Sequence, residues 1–194
     1  MIKSPQIGDM GVCRNPYLIK MWQAVSRGWS PPVNITEDEY NMIRTNKSHY
    51  PPELVGYVGF ALSYGGKWFG GWCRDSKGFR DYVGEARRNA EKQFPLLRGV
   101  DFREASVFEL DLNSKSTIYC DPPYAGTTGY NSKFDHSRFY DWCRHMVNEG
   151  HRVFISEYSM PDDFECVWEK PVNSSLTKDT GGKKNVERLF TIHK

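Results

Sequence analysis

Residues 117–156 constrain this chain more than any other stretch. Thr117-Ile118-Tyr119-Cys120 reads as a short buried strand. Asp135 then caps a helix whose apolar positions are Phe139, Trp142, Cys143, Met146 and Val147, and Gly150 ends it. Residues 152–156 (RVFIS) form the next strand. Strand, helix, strand in this order is a crossover, and a crossover joins parallel neighbours. The second half is therefore expected to hold a parallel sheet, with later strands at 166–168 and 187–192.

The first hundred residues read as mostly helical. Residues 1–15 are polar and broken by Pro5, Gly8 and Gly11, and give no strand or helix. A helix is predicted from Pro16, with Leu18, Ile19, Trp22 and Val25 apolar and Gly28 as its stop. Thr36 and Glu39 make a capping box for a helix over 37–47. Pro51-Pro52 opens a third over 52–62. Residues 63–78 (SYGGKWFGGWCRDSKG) read as an irregular loop, and a long amphipathic helix is predicted over 79–93.

Composition sets limits. The 194 residues suffice for a core without staples. The aromatic residues can fill that core or stack on bases, and composition does not separate the two uses. A net charge of +2 is too small to announce a nucleic-acid surface, which would have to come from local clusters. Five scattered cysteines suggest free thiols in a reducing, cytoplasmic compartment. Neither a signal peptide nor an apolar run near membrane-spanning length is evident. Cys143 and His145 fall on different helix faces, which argues against a metal site.

Asp121-Pro122-Pro123-Tyr124 follows directly on the first strand of the crossover. Ligands of open α/β sheets bind where strands end, so the position is apt. The prolines stiffen the backbone and donate no N–H, so the Pro122 carbonyl is a pure acceptor. Ionised Asp121 is another. Two acceptors suit an aromatic amine with two N–H groups, and the Tyr124 ring offers a stacking face. Accepting both hydrogens draws the amine nitrogen toward sp³ and frees its lone pair for attack. Such chemistry rests on alignment and electrostatics, and alignment alone is worth about 7–11 kcal/mol.

These residues, with NPYLIKMWQAVSRGWSPP (15–32), VGYVGFALSYGGKWFGGW (55–72), IYCDPPYAGTTGY (118–130), HRVFISEYSMPDDFECVWEK (151–170) and VNSSLTKDTGGKKNVERLF (172–190), resemble the Dam-type DNA N6-adenine methyltransferases, particularly their phage and prophage members. The resemblance implies a Rossmann-like α/β methyltransferase sheet with helices on both faces. Residues 1–35 and 95–194 would form this catalytic core, and 36–94 a mainly helical target-recognition insertion. It implies S-adenosylmethionine as cofactor and double-stranded DNA as partner. Asp121 and Pro122 would hold the amino group and lie by the cofactor, with Pro123 stiffening the turn. Tyr124 would stack on a flipped adenine, and Ser156 would sit near the base pocket. Lys67, Arg74, Lys77 and Arg80, with Thr127, Thr128, Tyr130, Lys178 and Lys183, would face DNA.

The chain departs from the family pattern at its start. The F-x-G-G-like cofactor loop after the family's first strand has no counterpart before Asn15, and G-D-M-G at 8–11 is the nearest stretch. Cys13 stands where the family places the acid that holds the ribose, and Ser106 where a second acid is often found. The expectation is a sheet without its first strand, weak cofactor binding by this chain alone, and a missing piece encoded upstream, lost, or supplied by another chain. The alternative is a truncated or degenerate remnant that binds DNA with little catalysis. Methylation of cytosine N4 or of a glutamine side chain is a third possibility, disfavoured because those families more often carry Ser or Asn where Asp121 stands.

Overall fold

The computed structural model describes residues 9–75, 79–112, 114–125, 134–172 and 185–193. The fold is mixed α/β, and the chain divides into two compact units, residues 1–109 and 110–194. Among the described residues no helix is long and apolar enough to cross a membrane. All five cysteines are free thiols.

The first unit opens with a strand, β1 (Met10–Cys13), in a stretch expected to hold none. Four residues with a glycine among them carry little strand signal. What makes them a strand is parallel pairing with a partner some ninety positions later. Helix α1 (Pro16–Ser26) follows, with Asn15 Oδ1 accepting from Leu18 N at 3.0 Å and Pro16 fitting the first turn. Helix α2 (Glu37–Thr45) has the expected capping box, in which Thr36 and Glu39 satisfy each other's backbone N–H groups. Helix α3 (Pro52–Ala61) packs along α1. The two can approach because Gly56 carries no Cβ: one built there would lie 2.3 Å from the Tyr17 carbonyl oxygen. Helix α4 (Tyr82–Gln93) starts at its Asp81 cap, three residues later than expected, which leaves Arg80 ahead of it. Strand β2 (Asp101–Glu104) pairs with β1 in parallel, Gly11 opposite Phe102.

Val25, Ile35, Tyr40, Ile43, Val55, Tyr57, Val58 and Leu62 form this unit's core. Burying each such side chain is worth about 1.5–3 kcal/mol. The aromatic loop after α3 closes over it. Phe69 and Trp72 each lie 5.4 Å from the Tyr40 ring, and Trp68 stacks on Tyr17 at 5.5 Å. These rings therefore serve as core. The Tyr40 hydroxyl, buried among them, meets Ser63 Oγ at 2.8 Å.

The second unit is a four-stranded sheet in the order β3-β4-β6-β5: β3 (Thr117–Cys120), β4 (Arg152–Glu157), β5 (Glu165–Val172) and β6 (Asn185–Thr191). Helix α5 (His136–Asn148) makes the crossover from β3 to β4, which run parallel as predicted. Only this pair is parallel. Strand β6 is antiparallel to both β4 and β5, so the expected parallel sheet is a mixed one. The sequence reads the order of strands, but the return direction of the last two is set by their pairing with each other. Strand β3 is also less buried than expected: it lies at the end of the sheet's order, and Tyr119 is 51% exposed.

The face of α5 named in the sequence is the one that packs, for Phe139, Trp142, Cys143, Met146 and Val147 are all buried. They cover Val153 and Ile155 on the inward face of β4, where Phe164 and Phe190 are buried too. Asp135 caps the helix through Arg138 N, and Gly150 ends it at φ +95°, a conformation that favours glycine.

Candidate active site at the end of the parallel strands

The β3–β4 register sets Cys120 beside Ile155, so both strands end together, one in Asp121 and the other in Ser156 and Glu157. From there the chain turns through Pro122, which is buried, and Pro123 and Tyr124, which are half-buried. Asp121 itself is exposed at the tip. The structure thus brings Asp121, Pro122, Pro123, Tyr124 and Ser156 to one end of one strand pair.

Ser156 Oγ lies 2.8 Å from Tyr119 Oη, across the β3–β4 pair. The Tyr124 ring meets Tyr158 edge to face, centroids 4.7 Å apart. Burial first, then the nearby charges of Asp121 and Glu187, push the Tyr124 phenol well above the ordinary tyrosine range, so it stays protonated.

Acidic charge is concentrated here. Partial burial raises the Asp121 carboxyl above the usual aspartate range although the residue keeps solvent contact, and the like charges of Glu187 and Glu157 raise it further. Cys120, just behind, is pushed up to about 12 by burial and then by Asp121. A thiol held neutral in this way is a small packed side chain and a poor nucleophile.

Residues missed by sequence reasoning complete the site. Glu157 is only 1% exposed, with one carboxylate oxygen accepting from Ala125 N at 2.9 Å and the other from Tyr158 N at 2.8 Å. His136 Nε2 donates to the Pro123 carbonyl at 2.8 Å. A signal for Glu157 was present in the strand alternation: Val153, Ile155 and Glu157 share the inward face. An acid on such a face is either paired or costly. His136 carried no comparable signal.

The expected DNA-facing cations divide differently. Lys67, Arg74 and Arg80 lie in the first unit, all exposed. Arg74 pairs with Glu37, and Arg80 forms two 2.7 Å bonds to Glu85 while covering the Tyr82 ring. Lys77, Thr127, Thr128, Tyr130, Lys178 and Lys183 lie outside the described residues. Among the described residues no three His, Cys, Asp or Glu side chains gather as metal ligands would. A surface recess lined by Asp111, Ser114, Lys115, His145 and His151 lies at the opposite end of the strands, away from this cluster. No model of a known protein family matches the chain, and no curated protein sequence does.

Proposed function

We propose that the chain is a Rossmann-like methyltransferase that moves a methyl group from S-adenosylmethionine to N6 of adenine in double-stranded DNA. One observation carries this reading: an exposed acid followed by two prolines stands at the end of a parallel strand, with a half-buried tyrosine beside them. The Asp121 carboxylate and the Pro122 carbonyl accept the two amine hydrogens. Tyr124, its ring set against Tyr158, covers the base, which must leave the duplex to reach the tip. S-adenosylmethionine would supply an electrophilic methyl group carried on a cationic sulfur. Asp121 and Glu187 suit that cation, because a positive charge relieves the repulsion between them that raises the Asp121 carboxyl. Asp121 and Pro122 would hold its methionine end. Positioning the amine for in-line attack is the work left to the protein.

A second reading, a DNA-binding remnant with weak catalysis, is favoured by Cys13. It closes β1 with a thiol at the position where the resemblance implies a carboxylate for the ribose. A charge-assisted bond of about 1.5–3 kcal/mol is then missing. Labelled cofactor with mixed-sequence duplex DNA separates the two. Label recovered in N6-methyladenine and abolished by Asp121→Ala supports the first reading. DNA retention without label supports the second, and label on cytosine or protein overturns both.

A further inference from the structure

We infer that His136 and Glu157 are positioning residues that together aim the Tyr124 ring, an inference that rests on the function proposed above. A backbone has two soft dihedrals per residue, so the Cα–Cβ direction is fixed when the peptide planes on both sides of a Cα are held, and the edge contact with Tyr158 limits the remaining ring rotation. At Tyr124 both are held from outside the turn. The preceding plane contains the Pro123 carbonyl, which accepts from His136 Nε2 at 2.8 Å. The following plane contains Ala125 N–H, which donates to Glu157 Oε2 at 2.9 Å. The two anchors come from different elements, His136 from the first turn of α5 and Glu157 from the end of β4.

Glu157 does a second thing. Its other oxygen accepts from Tyr158 N at 2.8 Å, so a single carboxylate holds the backbone beside both rings of the edge-to-face pair. A side chain 1% exposed and spent on two backbone N–H groups is costly to bury unless both bonds are made. No step of the chemistry proposed above uses this carboxylate as acid, base or nucleophile. Its chemistry is fully accounted for by holding the turn. The His136 bond to a carbonyl also defines its tautomer, with the proton on Nε2.

The variants are Glu157→Gln, which turns one acceptor oxygen into a donor facing an N–H, and His136→Leu, which removes the donor. His136→Gln restores an N–H near the place of Nε2. The first readout is amide hydrogen exchange of the full chain. The Ala125 amide should exchange at least about tenfold faster in Glu157→Gln, while the amides of β4 and α5 keep their protection. Unchanged exchange at Ala125 overturns the inference whether or not the protein transfers methyl groups. If Glu157→Gln fails to fold, the same measurement on His136→Leu against His136→Gln decides, with loss and rescue expected in turn. The second readout uses labelled S-adenosylmethionine and mixed-sequence duplex DNA. Misaiming the ring should lower kcat on the order of 10²-fold with KM nearly unmoved. His136→Gln should recover most of it. Combined with Tyr124→Ala, neither variant should lose more than Tyr124→Ala alone, since both act through that ring. Additive losses in the double variants overturn the inference. A wild-type chain with no transfer but with the exchange pattern above would retire the proposed function and leave the positioning roles standing.

Discussion

At the scale of single residues, Asp121 carries the sharpest consequence. Its carboxyl takes up a proton at higher pH than an ordinary aspartate, near 3.9, because burial and two like charges disfavour the anion. The native state therefore binds more protons than the unfolded one between the two values. Stability falls as pH rises through that window and stays at the lower level at neutral pH. Asp121→Asn should raise Tm at pH 7 while abolishing transfer, and the gain in Tm should vanish below the ordinary aspartate range. The rate should fail on acidification sooner than an unperturbed aspartate would allow, since the protonated acid no longer accepts two hydrogens. A pH–rate profile beside a pH series of melts checks both. Tyr57 offers a purely structural test. It is 2% exposed, its hydroxyl has no hydrogen-bond partner among the described residues, and burial pushes it up to about 12. Tyr57→Phe should stabilise the protein by about 1 kcal/mol in denaturant titration.

At the scale of elements, the sequence was most legible where local chemistry decides. Pro16 in the first turn, the caps at Thr36 and Asp135, and the stops at Gly28 and Gly150 place α1, α2 and α5. Asn15→Ala should cost about 1 kcal/mol, read in a thermal melt, because Leu18 N would lose its acceptor. The apolar period of α5 and the four residues of β3 were readable for the same reason. Strand β1 was not, because its identity depends on β2 far along the chain and on Phe102 covering Gly11. The antiparallel return of β6 between β4 and β5 escaped too: alternation shows which face is buried but not which way a strand runs. Within the site, the motif and Ser156 were legible. Alternation marks Glu157 as an inward-facing acid, but its partners and those of His136 were not legible, because both act on backbone atoms brought near only by the crossover.

At the scale of the whole molecule, the small net charge of +2 conceals local pairing. Arg74 and Arg80 already hold carboxylates, so much of the charge they could offer a phosphate is offset. Each true phosphate contact steepens the salt dependence of DNA affinity by about one unit of slope. Arg80→Ala should therefore alter that slope by less than about one unit. Glu85→Gln, which frees the guanidinium, should steepen it and tighten binding at low salt. Fluorescence anisotropy with mixed-sequence duplex across a salt series measures both.

Ser156 and Tyr119 share one hydrogen bond of 2.8 Å in which either hydroxyl can be the donor. If an incoming nucleobase edge captured the phenol's hydrogen, the serine would have to supply the bond in its place. Arrival at the tip would then be registered, from within the sheet, as a reversal of one proton's direction.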